Sequence, residues 1–193
     1  MAVEFPDIRN ITVSGRIATG ATTLAKQLAE ILQWKFLDGS RYNDEFFKKI
    51  GQNEVNVNLR PDEMDRDFDE HMQHILRYDD HYVVQSHLAG FKAQGIEDVY
   101  KVLTLCNDKD GKDQTEIRVD RLVNRKGISV HQAKKEIKDR EAGNLEKWRR
   151  MYVPHDPDWV YWEKRYYDLI VNTYFLNKQD SLEYVLQHIG FHS

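Results

Sequence analysis

Residues 11–24, which read ITVSGRIATGATTL, decide the fold of this chain. The β-branched residues before Gly15 predict a short buried strand, and apolar residues that recur at helical spacing from Leu24 onward predict a helix. Gly15, Gly20 and Thr22 occupy the spacing G-x-x-x-x-G-K-[ST] of a phosphate-binding loop, a motif that lies between a strand and a helix. The stretch therefore predicts a phosphate site where the first strand passes into the first helix.

This phosphate loop (residues 15–23) predicts a defined set of contacts. Backbone N–H groups of such a loop converge on phosphate oxygens, and the helix that follows adds the positive end of its dipole. The hydroxyl of Thr22 is placed to bind the Mg²⁺ of a nucleoside triphosphate. The alternative is a glycine turn that joins a strand to a helix without any ligand. The predicted nucleotide-binding residues of the loop are Gly15, Arg16, Thr19, Gly20, Ala21, Thr22 and Thr23, with Thr22 also the metal ligand.

The loop departs from its motif at one position. Ala21 stands where the motif has a lysine, whose ammonium offsets the charge of the terminal phosphates during transfer. Arg16, directly after the first glycine, is the nearest substitute cation. A guanidinium binds phosphate with a geometry different from that of an ammonium. Arg16 is therefore the candidate for the cation that replaces the missing lysine, and the sequence leaves open whether it does so.

The rest of the chain predicts strands that alternate with helices. Further strands are expected at about 34–37, 81–85, 100–106 and 166–171, and helices at about 24–32, 61–76, 114–126, 129–141 and 181–189. This alternation predicts a mostly parallel sheet covered on both faces. The 193 residues, of which 40% are hydrophobic, suffice for one α/β domain with a substantial core.

The charge of the chain is negative overall but unevenly distributed. There are 28 basic and 32 acidic residues, which gives a net charge of −4. The segment 112–150 instead holds 12 Lys or Arg against 7 Asp or Glu. The overall charge offers no electrostatic reason to bind nucleic acid, so we expect no nucleic-acid partner. The basic segment is either a solvated helical surface or an element that contacts an anion.

Three features of the sequence indicate where in the cell the protein is expected to lie. The single Cys106 excludes an internal disulfide. No apolar run approaches the roughly 18 residues that span a bilayer. The first ten residues lack the basic start and apolar stretch of a signal peptide. We therefore expect a cytoplasmic protein with no membrane partner.

Motifs beyond the phosphate loop resemble the cytidylate kinase-like branch of the nucleoside monophosphate kinases. The matching segments, in chain order, are the turn at 36–41, the strand and turn at 83–91 (similar to G-R-L-A-G-[WF]), the helix at 118–125 (R-x-x-R-[IL]-x-x-R), the segment 140–152 (R-[DE]-x-x-x-x-x-R-Y) and the strand at 167–173 (D-L-[VI]-I-N-T). Their order and spacing extend the resemblance over most of the chain.

The resemblance implies a three-layer P-loop nucleoside monophosphate kinase fold with a mostly parallel five-stranded sheet. Residues 1–193 would form a single domain, with a monophosphate-binding insert at about 38–80 and a basic helical lid at about 112–152. The implied reaction transfers the γ-phosphoryl group of ATP to a pyrimidine nucleoside monophosphate, with CMP or dCMP the first expectation. ATP and Mg²⁺ are the implied cofactors, small-molecule nucleotides the partners, and a monomer or homodimer the assembly.

The resemblance also implies roles for individual residues. The lid would bring arginines over the phosphates, so that the expected catalytic residues are Arg16, Arg118, Arg121 and Arg140. The expected acceptor-binding residues are Asp38, Ser40, Arg41 and His87, of which His87 replaces the arginine of the G-R-L-A-G pattern. The changes at Ala21 and His87 leave three alternatives: a kinase with a rearranged set of cations, a kinase for a different acceptor, or a catalytically impaired homologue that binds a nucleotide as a sensor or regulator.

Overall fold

The computed structural model describes residues 2–49, 51 and 57–191, which fold around one parallel sheet. Its strands are β1 (Asn10–Gly15), β2 (Lys35–Asp38), β3 (Tyr82–Gln85), β4 (Val99–Leu105) and β5 (Leu169–Asn172). They lie in the spatial order β2-β3-β1-β4-β5, and every adjacent pair is parallel. This arrangement confirms the predicted α/β fold class and its five-stranded, mostly parallel sheet.

Helices follow the strands in chain order. Within the described residues they are α1 (Ala21–Leu32), α2 (Gly39–Lys49), α3 (Asp62–Tyr78), α4 (Ala89–Lys92), α5 (Thr115–Lys126), α6 (Val130–Tyr152) and α7 (Lys178–His188). α6 begins at a capping box, in which the Ser129 hydroxyl accepts from the Gln132 backbone N–H while the Gln132 side chain accepts from the Ser129 backbone N–H.

The helices form a layer on each face of the sheet. On one face, α1 and α7 pack against the strands through buried residues that include Leu28, Val102 and Val185. On the other face, α3 and α4 pack through residues that include Met72 and Ala89. Within the described part of the chain, no helix is both long and apolar enough to cross a membrane.

The helices α2, α4 and α6 differ most from the sequence prediction. α2 was not expected, because residues 39–49 are mostly polar and begin with the turn-forming pair Gly39-Ser40, and the four-residue α4 was not expected either. The second basic helix was expected to end at about 141, whereas α6 continues to Tyr152. Gly143 lies inside α6, where a Cβ atom would meet Val57 Cβ at 3.3 Å. This glycine therefore permits a close approach between the helix and a neighbouring segment and does not end the helix.

The segment predicted as a lid packs directly on the phosphate loop. Ile17 of the loop lies in a small apolar cluster with Val119 and Leu122 of α5 and Ile137 of α6. A second cluster joins α6 to the segment before β5 through Trp148 and other buried aromatic residues. The basic helices are consequently held over the carboxyl end of β1, where the predicted phosphate site lies.

Candidate active site

The phosphate loop joins β1 to α1 with a shape that depends on two glycines. A Cβ atom on Gly15 would lie 2.1 Å from the Thr104 hydroxyl and 2.5 Å from the Thr19 hydroxyl, so no larger residue fits there. Gly20 has φ of 97°, in the left-handed region that favours glycine. The hydroxyls of Thr19 and Thr104 lie 2.8 Å apart, and that of Thr19 also donates to the Arg16 carbonyl at 2.8 Å. These contacts attach the loop to β4 in one conformation.

Two cavities flank the phosphate loop. The first cavity, of about 470 Å³, lies toward β2 and β3 and is lined by six of the seven predicted loop residues, all except Thr19. The second cavity, of about 640 Å³, lies toward α5 and the segment after β5, and its lining includes Thr19, Asn124, Thr173 and Asn177. The loop therefore stands between two spaces, each large enough for a nucleotide-sized ligand.

The phosphate loop fits a triphosphate with its metal ion. The left-handed Gly20 opens directly into the first turn of α1, where free backbone N–H groups and the helix dipole favour an anion. Thr22 lies in the wall of the first cavity and would supply the hydroxyl ligand that Mg²⁺ requires. In the described part of the chain, no group of three or more His, Cys, Asp or Glu side chains forms a separate metal site.

Arg16 lies in the wall of the first cavity with its charge already paired. Its guanidinium donates to both carboxylate oxygens of Glu141, at 3.1 and 2.6 Å, and lies 3.2 Å from the Asp113 carboxylate. It also stacks 4.4 Å from the centre of the Trp162 ring. Burial opposes its charge, but the hydrogen bond and negative charge of Glu141 raise the pKa of Arg16. Arg16 thus connects the phosphate loop to α6.

Two further predicted arginines hold the loop from its other side. Arg118 is fully buried, and it donates to the Ile17 carbonyl at 3.0 Å and to Glu141 at 2.6 Å. Arg121 donates to the Thr173 carbonyl at 2.6 Å and to its hydroxyl at 2.8 Å. Arg121 also lines the second cavity. The structure therefore places both guanidinium groups on protein oxygens around the loop.

The first cavity contains other cations, several of which the sequence analysis missed. Arg140 donates to Glu136 at 2.9 Å, and its Nε is buried without a hydrogen-bond partner in the described chain. Arg41 pairs with Glu45 at 2.8 Å on the exposed surface of α2. Lys26, Arg125 and Lys126 complete the cationic lining. Lys26 was detectable, because it lies four residues after Thr22 and therefore on the same face of α1.

The predicted acceptor residues gather at the ends of β2 and β3. Asp38 ends β2 in register with Gln85 of β3, and both line the first cavity together with Arg41 and His87. The side chain of Ser40 lies outside the described residues. Three of the four predicted acceptor residues are therefore brought together.

His87 is a neutral side chain in this site. Its Nδ1 lies 2.6 Å from the Gly15 carbonyl oxygen. Because a carbonyl only accepts, Nδ1 carries the proton and Nε2 has a free lone pair. Burial, together with the nearby charge of Arg140, lowers the pKa of His87 from 6.5 to about 4. His87 consequently supplies no positive charge near pH 7.

Gln85 is a further residue of the first cavity that the sequence analysis did not predict. The residue is only 5% exposed, and its side-chain oxygen has no hydrogen-bond partner among the described residues. Gln85 lies in the predicted motif at 83–91, but glutamine carries no charge and belongs to no catalytic pattern, so the sequence does not indicate a function for it. Only the tertiary structure shows that this buried amide lines a cavity.

A glycine-dependent phosphate loop between β1 and α1, on a five-stranded parallel sheet with basic helices above it, defines a P-loop kinase fold. The fold is similar to that of shikimate kinase from Bacteroides thetaiotaomicron, with a TM-score of 0.54 and 16% identity over 94% of this chain and 98% of that one. This likeness shows the fold alone.

Comparison with known sequences shows which P-loop kinases the chain resembles. The chain is 29% identical to a cytidylate kinase of Haloarcula marismortui over 186 residues, covering 95% of this chain and 90% of that protein. It is 28% identical to a cytidylate kinase of Methanopyrus kandleri over 174 residues, covering 84% and 83%. No protein-family model matches the chain. The predicted resemblance to the cytidylate kinases is thus confirmed over most of the chain.

Proposed function

We propose that this protein is a nucleoside monophosphate kinase that transfers the γ-phosphoryl group of ATP to a pyrimidine nucleoside monophosphate, CMP or dCMP first. The observation that carries the proposal is a glycine-dependent phosphate loop between two cavities, since phosphoryl transfer requires a donor and an acceptor on either side of the transferred group. The similarity to cytidylate kinases supports the choice of acceptor.

The donor nucleotide would occupy the second cavity and the phosphate loop. The polar side chains of Asn124 and Asn177 line the second cavity and offer hydrogen bonds to a nucleoside. The backbone N–H groups after Gly20 would bind the phosphates, and Thr22 would hold the Mg²⁺. Bound Mg²⁺ would neutralise part of the charge that the phosphates bring together.

The acceptor would occupy the first cavity. Lys26, Arg41 and Arg140 line this cavity and would bind the acceptor phosphate and offset the charge of the two phosphate groups. No strong general base is required, because a monophosphate is already ionised near pH 7. The work of the protein is therefore to position the two phosphates and to neutralise their charge.

The lid helices would exclude water from the transfer. Glu141 of α6 joins Arg16 of the phosphate loop to Arg118 of α5, so that loop and lid are connected by buried charges. Exclusion of water prevents hydrolysis of ATP, the competing reaction. In this proposal Arg16 and Arg118 position the loop under the lid, while Arg121 positions it against the second cavity.

A coupled assay of ADP release, with Mg²⁺ and each of CMP, dCMP, UMP, AMP and GMP, tests the proposal. We expect turnover that depends on the acceptor and is fastest with CMP or dCMP. A folded protein that releases ADP with none of these acceptors would contradict the proposal.

The substitution Thr22→Val adds a matched test of the metal role. It removes the hydroxyl that would hold Mg²⁺ and keeps the side-chain shape, so kcat is expected to fall at least about 10-fold. Thr12→Val is the control, because the Thr12 hydroxyl is buried in β1 without a partner among the described residues. Equal kcat values for the two variants would exclude Thr22 as the ligand.

A second candidate function is a nucleotide sensor that binds without turnover. It is favoured by Ala21 and by the pairing of Arg16 with Glu141 and Asp113, which together leave the loop without a lysine and with an engaged arginine. Titration calorimetry would then detect binding of ATP or CMP to a protein with no ADP release. If Arg16→Ala abolishes a measurable catalytic rate, the sensor function is wrong.

A further inference from the structure

The segment between α6 and β5 contributes an aromatic ring to the phosphate loop. The guanidinium carbon of Arg16 lies over the Trp162 ring, 4.4 Å from its centre. A cation is attracted to the face of an aromatic ring within about 6 Å, and tryptophan attracts it most strongly. Trp162 is not among the described residues that line the two cavities beside the loop. It therefore contacts the loop arginine from outside the proposed ligand sites.

Arg16 is held at its nitrogen atoms and on one face at the same time. The nitrogen atoms contact the carboxylates of Glu141, at 2.6 and 3.1 Å, and of Asp113, at 3.2 Å, whereas the Trp162 ring covers a face of the guanidinium plane. Hydrogen bonds fix directions within that plane, and a stacked ring opposes a tilt of the plane. The two kinds of contact together restrict the guanidinium to one orientation.

The backbone of Arg16 closes a turn of the phosphate loop. Its carbonyl oxygen accepts from the Thr19 backbone N–H at 3.2 Å and from the Thr19 hydroxyl at 2.8 Å. This turn leads to Gly20 and the first turn of α1. A shift of Arg16 would therefore change the direction of the backbone N–H groups that the loop offers to phosphate.

The Trp162 ring is supported by a neighbour that is almost fully buried. The Tyr161 ring lies perpendicular to it, with ring centres 4.7 Å apart and planes at 87°. Tyr161 also packs against Trp148 of α6, and its backbone carbonyl accepts from the Tyr167 hydroxyl at 2.6 Å. Trp162 consequently connects the phosphate loop to this buried aromatic cluster, in addition to the ionic contacts of Arg16.

We propose that Trp162 is a positioning residue for phosphate binding: through Arg16 it holds the phosphate loop in the shape that receives the phosphates of the donor nucleotide. The inference rests on the proposed function, because it assumes that the loop binds those phosphates. Since Ala21 leaves the loop without its lysine, the backbone N–H groups carry a larger share of phosphate binding. Binding therefore depends closely on the shape of the loop.

Titration calorimetry with a non-hydrolysable ATP analogue and Mg²⁺ tests the inference without requiring turnover. Trp162→Leu keeps an apolar side chain and removes the ring, so its Kd for the analogue should rise at least about 5-fold. Trp162→Phe keeps a ring face and should stay within about 2-fold of the wild type. Adenosine, which has no phosphate, should bind both variants as it binds the wild type.

Tyr166→Leu is the matched control in the same segment. The Tyr166 ring is also partly buried, and it contacts Phe91 and, at 5.1 Å, the guanidinium of Arg165. Both leucine variants should melt at a lower temperature than the wild type, since each loses a partly buried ring. Only Trp162→Leu should bind the ATP analogue more weakly, which separates a positioning role from a general loss of stability.

The inference is overturned if the analogue binds Trp162→Leu as tightly as the wild type or more tightly. It is also overturned if Trp162→Phe or Tyr166→Leu loses as much affinity as Trp162→Leu, or if adenosine binding falls by the same factor. Weaker binding of the analogue to Trp162→Leu, with no ADP released by the wild type, supports the inference and contradicts the kinase function alone. Wild-type turnover of CMP with an unchanged KM for ATP in Trp162→Leu supports the kinase function and contradicts the inference.

Discussion

At the scale of the residue, Ala21 leaves the phosphate loop without an ammonium of its own. Its side chain is buried and lines the first cavity at the first position of α1, so a longer side chain there extends toward the predicted phosphates. If the other cations only partly compensate, Ala21→Lys should raise kcat about 10-fold or more, because preorganised charge at the transferred group lowers the barrier. The coupled ADP-release assay at saturating ATP and CMP measures this effect.

Ala21→Met is the matched control for that substitution. It adds similar length without charge and should not raise kcat. An increase in both variants would show that bulk at the first turn of α1, and not charge, limits the rate. No increase in Ala21→Lys, with both variants folded, would indicate that Lys26 and the arginines already supply the full charge.

His87 predicts a pH dependence of stability with a definite sign. Its pKa is about 4 in the folded protein and 6.5 in the unfolded chain, so only the unfolded chain takes up a proton as pH falls from 6.5 toward 4. The free energy of unfolding should therefore fall by about 1.4 kcal/mol per pH unit in this window. Between pH 7 and pH 5 the loss amounts to about 2 kcal/mol.

Urea denaturation of the wild type and of His87→Asn at pH 7 and pH 5 measures this contribution. The asparagine amide can still donate to the Gly15 carbonyl but does not titrate, so the variant should lose about 2 kcal/mol less stability between the two pH values. Equal losses in the two proteins would contradict the buried, neutral state of His87.

The individual residues of the phosphate loop differ in how far the sequence predicts their contacts. Gly15, Gly20 and Thr22 lie in a cavity wall, and their binding roles stay predictions; the motif could be recognised because the geometry of a phosphate loop is local and its spacing is visible in the sequence. The contacts of Arg16 were not predictable, since its partner Glu141 lies 125 residues away. Whether Arg16 replaces the missing lysine remains a prediction.

At the scale of the element, α6 is connected to the phosphate loop by a group of buried charges. Glu141 accepts hydrogen bonds from Arg16 and Arg118, and Asp113 lies within 3.3 Å of both guanidinium groups. Burial opposes ionisation of Glu141, but the two arginines lower its pKa below the ordinary value. The carboxylate is consequently charged near pH 7, and together with Asp113 it balances the charges of the two arginines.

Glu141→Gln should destabilise the protein by about 3 kcal/mol, because it removes the carboxylate that buried Arg118 and half-buried Arg16 share and leaves Asp113 to balance both charges. Asp139→Asn is the matched control on the same helix. It breaks only an exposed pair with Lys135, so a change of about 0.5 kcal/mol or less is expected. Urea denaturation at pH 7 measures both, and equal effects would show that the buried charges do not hold α6 to the loop.

The elements differ in how well the sequence predicts them. The first strand was recognisable from a short β-branched run, and the basic helix predicted at about 114–126 is observed as α5. The length of α6 was underestimated by 11 residues at its carboxyl end, in a region that includes Gly143, and glycine is unfavourable inside a helix. The function of Gly143 depends on its neighbour Val57, which no local pattern reveals.

At the scale of the whole molecule, two cavities on either side of one loop predict two ligands that stabilise the fold independently. A ligand that binds only the folded state adds about 2.7 kcal/mol to the free energy of unfolding when its concentration is 100 times its Kd. ATP with Mg²⁺ and CMP should each raise the melting temperature, and the two together should raise it further.

The shifts in melting temperature are measured by thermal melting with a non-hydrolysable ATP analogue, with CMP, and with both ligands together. Adenosine and cytidine, which lack phosphates, serve as controls and should produce smaller shifts, because the phosphate loop and the cations of the first cavity bind charge. If CMP prevents the shift caused by the ATP analogue, the two ligands share one cavity and the assignment of separate sites is wrong.

The sequence alone determined the fold class, the phosphate loop and the resemblance to cytidylate kinases, because these depend on hydrophobic periodicity and on residues close together in the chain. Only the tertiary structure shows which charged groups pair with one another and which titratable groups are neutral. It pairs Arg16 with Glu141, keeps His87 neutral and leaves the buried Gln85 amide facing a cavity. Burial and long-range pairing set the charge and the hydrogen-bonding capacity of a side chain, and both arise only when distant segments meet.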